Sequence, residues 1–258
     1  MKLRTLRHFQ SLNRCLDLAH SIARGLPIVA ALAFVIAGCR SSGPVWSSAD
    51  SARSNAAASS ANAQIDAHLR AQLASASGFD YYLLNLSWSP EFCHGHPDAA
   101  ECAVHSTFVL HGLWPQNNDG GYPENCTSAP GPSKSPDPLA FADIYPDAGL
   151  LQHEWRTHGT CSGLSADTFF SAARAALRSV AIPPAFNNLD HQTSMTPDEI
   201  LSSFTATNPS IPRASLALSC GNNYLTAVEV CLDKTLHPIV CGPIRSCRAN
   251  IVRIPPPR

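Results

Sequence analysis

Apolar positions divide the chain into three stretches of different texture. The first ends in an unbroken apolar run, "LPIVAALAFVIAGC" (26–39). The second, 40–77, is dominated by serine and alanine, and from Phe79 onward short apolar runs alternate with clusters of Gly, Pro, Ser and Asn. In that last stretch the period of the pattern predicts the elements. "FDYYLLNLSW" (79–88) and "HSTFVLHGLW" (105–114) read as strands, separated by a short polar loop that Cys93 and Cys102 bracket. Gly120 to Pro138 is loop, and "DPLAFADIYP" (137–146) predicts a short helix closed by Pro146. "AGLLQHEWRTHGTC" (148–161) predicts a helix ended by Gly159, and "SADTFFSAARAALRSV" (165–180) an amphipathic helix capped by a serine. "TPDEILSSFTATNP" (196–209) opens with a capping threonine and a first-turn proline. "ASLALSC" (214–220), "YLTAVEVCLD" (224–233) and "PIVCGPIRSC" through "ANIVRI" (238–254) read as strands with turns. No internal repeat is visible. Strands, then helices, then strands imply an α+β fold with a mainly antiparallel central sheet flanked by helices.

The head of the chain belongs to none of this. A basic segment up to Arg24 followed by an apolar run too short to span a bilayer suits an export signal. Its end, "VIAGC", matches the bacterial lipobox, which would make Cys39 a lipidated N-terminus; the alternative is an ordinary signal peptide with an incidental cysteine. Residues 1–39 are therefore expected as export signal, 40–77 as a mostly disordered Ser/Ala-rich tether, and 78–258 as the functional domain. Within the tether, "NAQIDAHLRAQLASAS" (62–77) is weakly helical.

An exported address changes the meaning of the cysteines. Of 10 in the chain, setting aside Cys15 and Cys39 leaves Cys93, Cys102, Cys126, Cys161, Cys220, Cys231, Cys241 and Cys247. An even number predicts four disulfides, and the gaps fit no zinc-finger spacing. Spacing alone leaves the pairing open. From Phe79 onward 10 Lys and Arg stand against 16 Asp and Glu, a net charge near −6 with neutral histidines. That is unlike a tight binder of long nucleic acids, although eight histidines in the same stretch reverse the sign at low pH.

Two short stretches carry the chemistry. "HGLWPQ" (111–116) ends a strand on a histidine beside a tryptophan, and "HEWRTHGTC" (153–161) sets Glu154 and His158 four apart, about 40° around a helix axis and on one face. His153, five before His158, is expected to point elsewhere. A zinc protease needs H-E-x-x-H with both imidazoles on one face, so this spacing argues against a metal. What remains is a carboxylate supporting one imidazole and a second imidazole, His111, from a strand end. Two histidines without a serine or cysteine nucleophile suit a reaction whose nucleophile belongs to the substrate. RNA cleavage through the ribose 2′-hydroxyl is such a reaction, with one group removing a proton and another protonating the leaving 5′-oxygen.

"FVLHGLWPQ" and "HEWRTHGTC" resemble the two active-site segments of the ribonuclease T2 family, and the likeness runs from about Tyr81 to the C-terminus. The resemblance implies an α+β domain that cuts single-stranded RNA with little base preference via a 2′,3′-cyclic phosphate, acting as a monomer without cofactor or metal and leaving DNA untouched. It places His111 as the leaving-group acid, His158 as the base, Glu154 as the carboxylate assisting at the phosphate and His153 as a phosphate ligand. Trp114 falls on an aromatic that packs against a base. The pairing it implies is Cys93–Cys102, Cys126–Cys161, Cys220–Cys247 and Cys231–Cys241. Two positions depart from the family. Thr157 stands where a lysine is common, with Arg156 adjacent and expected to bind substrate, and Gln116, also expected to bind substrate, stands where many members carry an aspartate near the base site.

Read singly, each histidine suits a structural role, and Trp88 and Trp155 are assigned to packing. Two rival functions remain: a ribonuclease-fold lipoprotein of low activity that binds RNA or a partner, motivated by Thr157 and the acidic surface, and hydrolysis of another phosphodiester, which would show as DNA cleavage.

Overall fold

The computed structural model describes residues 67–104, 106–126 and 135–257. The chain divides into two units, Met1–Ala57 and Ala58–Arg258, and every described residue belongs to the second. The export signal, Cys39, residues 40–66 of the tether and His105 lie outside the described residues.

Six strands, β1 (Tyr81–Trp88), β2 (Phe108–Gln116), β3 (Thr193–Met195), β4 (Leu216–Gly221), β5 (Tyr224–Leu232) and β6 (Val252–Ile254), form one sheet. Its order is β2-β1-β5-β6-β3, with β4 also paired to β5. Pairing is antiparallel except where β5 meets β6 at Tyr224 and Arg253. The helices are α1 (67–73), α2 (Ser89–Gly95), α3 (Ala148–Thr157), α4 (Ala166–Arg178) and α5 (Pro197–Thr207). The α+β class and the largely antiparallel sheet are as the pattern predicts.

β1 alternates weakly because both of its faces are buried. Tyr82, Leu84, Leu86 and Trp88 enter the main core, while Tyr81 and Leu83 turn the other way into a small second cluster with Cys231, against which Trp114 packs. Capping fixes two helices where sequence places them. The Ser165 hydroxyl accepts the Thr168 N–H ahead of α4, and Thr196 and Glu199 form a reciprocal capping box ahead of α5. α3 begins at Asp147, whose carboxylate accepts the N–H groups of Gly149 and Leu150. Its buried Leu151 and Trp155, four apart, face the main core.

Elsewhere the structure departs from the pattern. In place of a loop around Cys93 and Cys102 the chain forms α2, started by Pro90 in its first turn, and a 3-10 turn Ala100–Ala103. Both are too short for a readable period. Residues 137–146 yield only the 3-10 turn Pro138–Phe141. The run from Pro238 gives one isolated bridge to Leu232 and then β6 alone, because Pro238 and Pro243 lack the N–H that a ladder needs. β3, three partly exposed residues, had no pattern to announce it. The end of the expected tether is structural: α1 puts Leu69 and Leu73 into the main core, with Ala76 following. Burying Leu73 completely contributes on the order of 2 kcal/mol.

Four disulfides join Cys93–Cys102, Cys126–Cys161, Cys220–Cys247 and Cys231–Cys241, the same pairs that the family resemblance implies.

Candidate active site

The site forms where the end of β2 meets the C-terminal end of α3. In β2 the register with β1 steps from Asn85 opposite Gly112 to Leu86 opposite Leu110, so His111 is the unpaired residue of a β-bulge. A bulge bends its strand and re-aims the extra side chain. The imidazole of His111 stays 43% exposed although the residues on both sides of it are buried.

Gly112 explains the second letter of "HGLW". A Cβ there would collide with the Trp114 indole nitrogen and with Glu154 Oε2. Glycine in a strand interior is a sign of such close approach, and here it lets a helix carboxylate lie across the strand backbone. Glu154 Oε2 accepts the Trp114 indole N–H at 2.8 Å, while Oε1 stands 3.8 Å from His111 Nε2 and makes no hydrogen bond. The Glu154 side chain is 1% exposed.

His158 is not within α3. The helix ends at Thr157 and His158 is its C-cap, with φ −116° and ψ −47°, its N–H donating to Glu154 O at 3.0 Å. That break corrects the expectation for His153: helical spacing no longer governs the pair, and the two imidazole centroids lie 6.5 Å apart. Gly159 follows with its backbone pressed on the Trp155 ring, where a Cβ would clash. Trp114 lies between the two halves of the site, its ring centroid 5.3 Å from His111 and 5.3 Å from His158. The structure thus gathers His111, Trp114, His153, Glu154 and His158.

Three other residues have different surroundings. Gln116 is buried at the end of β2, where its carbonyl accepts the Asp80 N–H, and Arg156 is exposed. Thr157, half-buried, accepts the Asn125 N–H on its carbonyl at 2.8 Å. Trp88 and Trp155 are core residues, as assigned. Sequence reasoning missed the anchoring of Glu154 by Trp114, the bulge at His111 and the role of Tyr145, whose buried hydroxyl donates to the His111 carbonyl at 3.0 Å. Only the first had a signal, the glycine at 112 inside a strand, against which Glu154 and Trp114 lie.

Burial sets the electrostatics. It pushes the Glu154 carboxyl up to about 8, against the opposing pull of the Trp114 N–H. It pulls His158 down to about 4, helped by the positive charge that His153 and His111 carry when protonated. His111 is lowered by burial first and by His153 second. At neutral pH Glu154 is therefore a neutral acid beside the neutral imidazoles of His111 and His158.

The sequence model of the Ribonuclease T2 family matches residues 79–241. A ribonuclease of Aeromonas hydrophila is 48% identical over 102 residues, which are 38% of this chain and 45% of that protein, so the match spans under half of its length. Ribonuclease DdI of Dictyostelium discoideum is 30% identical over 192 residues, 64% of this chain and 78% of that one. Among solved structures, an RNase-related protein from Calystegia sepium superposes with a TM-score of 0.57 at 22% identity, over 70% of this chain and 100% of its own.

Proposed function

The chain belongs to the Ribonuclease T2 family, and on that premise we propose that it is an endoribonuclease that cuts single-stranded RNA by transphosphorylation through the ribose 2′-hydroxyl. The observation that carries the reading is the placement of His111 and His158 around one indole with a buried carboxyl between the strand and the helix.

His158, neutral above about pH 4, takes the 2′-hydroxyl proton as the 2′-oxygen attacks phosphorus. The developing phosphorane places charge on its non-bridging oxygens. Glu154, protonated at neutral pH and with Oε2 already held by Trp114, offers a proton on Oε1 to one of them. His153 binds the phosphate from the exposed side. His111, charged in the presence of the substrate's phosphate anion, gives its proton to the leaving 5′-oxygen. The product is a 2′,3′-cyclic phosphate, which water opens to a 3′-phosphate by the reverse proton transfers. A base packs on the open part of Trp114, an interaction worth roughly 1–3 kcal/mol. The neutral Glu154 supplies the hydrogen bond that a lysine at position 157 would otherwise share. No step calls for a metal ion, and DNA, lacking the 2′-hydroxyl, is not a substrate.

The disulfides suit export, since such bonds persist in oxidising compartments, and Cys39 would anchor the domain by a lipid. A dinucleoside monophosphate incubated with the domain tests the reaction. Wild type is expected to release a cyclic phosphate, and His158→Ala to be slower by at least a thousandfold, the combined scale of a lost base and its misplaced partner. Equal traces from the two proteins would favour a binding module instead.

A further inference from the structure

We propose that Tyr145 is a positioning residue for His111, its hydroxyl fixing the bulge from which that imidazole works. The inference rests on the ribonuclease reading for its kinetic consequences but on geometry for its substance. His111 has no Cα partner in the β1–β2 register, and its carbonyl accepts a hydrogen bond from a side chain. An unpaired carbonyl in a largely buried strand costs free energy and leaves the local backbone free to choose among conformers. The Tyr145 hydroxyl supplies the missing donor at 3.0 Å.

The donor is itself rigid. Tyr145 is 2% exposed, its ring stands edge-on to Phe170 at 5.5 Å, and its backbone N–H is held by Phe141 O at 2.9 Å. Burial, with a smaller contribution from Glu154, keeps the phenol protonated far beyond the working range, so it is always a donor. Tyr145 also precedes Asp147, the N-cap of the helix that carries Glu154. One hydrogen bond therefore ties the strand half of the site to the segment that starts the helix half. A packing role alone would need the ring and not the oxygen.

Tyr145→Phe separates the two, because it keeps the ring and removes the donor. With the dinucleoside monophosphate, kcat is expected to fall about tenfold to a hundredfold with KM changed less than about threefold, the scale of a catalytic group misplaced by a fraction of an ångström to an ångström. Titration of His111 by NMR, which needs no activity, is expected to move towards the ordinary histidine value as the ring becomes freer to meet solvent. The groups facing His111 whose titrations are followed beside it are Glu154, His153 and His158. Unchanged kcat and an unchanged His111 titration would overturn the inference. So would a variant unfolded at 25 °C, since the hydroxyl would then serve the whole fold. If wild type cleaves nothing, the ribonuclease reading fails while the NMR titration still decides this one.

Discussion

The carboxyl of Glu154 lies against the backbone of Gly112 with one oxygen on Trp114, and burial keeps it protonated up to about pH 8. In an unfolded chain it would release that proton near 4.5. Between these values the folded state holds a proton that the unfolded state has lost, so stability falls as pH rises. His158 has the opposite sign, because its folded value near 4 lies below 6.5, and between the two stability rises with pH. The effects oppose each other up to about pH 6.5, and above it Glu154 acts alone. Glu154→Gln keeps an acceptor for Trp114 and has no proton to lose, so its stability advantage over wild type should grow by about 1 kcal/mol per pH unit from 6.5 to 8. Urea melts at those two values measure it, and a constant difference would refute the assignment. On the proposed mechanism the same residues set the rate. The base must be deprotonated, hence above about 4, and the acid protonated, hence below the lowered value of His111. Plotted against pH, kcat/KM should peak between about 4 and 6.5, and an optimum above 7.5 would contradict these roles. Sequence named His111, Glu154 and His158 through residue type and spacing. It could not show that His111 is a bulged residue, which depends on the pairing of β2 with β1, or that Trp114 holds Glu154, which depends on a contact 40 positions apart.

At the scale of elements, α4 and α5 were legible because their caps are local chemistry: a serine or threonine side chain meeting its own first turn. The end of α3 was not. Gly159 marked the stop, but the helix closes two residues earlier and the chain goes on as a 3-10 turn, Gly159–Ser162. His158 keeps the last bond of the helical ladder, its N–H on Glu154 O, but other groups that fix its surroundings come from outside: the Asn125 N–H on the carbonyl of Thr157 and the Cys126–Cys161 bridge three residues on. The bridge spans 35 positions, and removing it as Cys126→Ser with Cys161→Ser should cost about 3–4 kcal/mol through the unfolded state. Because it holds the segment after His158, kcat should fall more than KM rises. Denaturant melts and dinucleotide kinetics on the double variant give both quantities, and undiminished kcat would reduce the bridge to a staple.

For the molecule as a whole, the order of strands, then helices, then strands was enough for the α+β class, but not for which face of the sheet a strand presents. β1 is buried on both faces, so its pattern could not say that Tyr81 and Leu83 support the side on which Trp114 packs. Nor could composition show that α1 completes the core, since a Ser/Ala-rich stretch around Leu69 and Leu73 has the texture of a linker. The cystines act at this largest scale. They close over the strand, the helix and the C-terminal segment alike, and no thiol-rich cytosol would leave them formed. A newly made chain bathed in glutathione would lack the Cys126–Cys161 tie that lies beside His158. On the proposed ribonuclease and export readings, the reducing interior of the producing cell would shield its own ribosomes and messages from a chain that has not yet left.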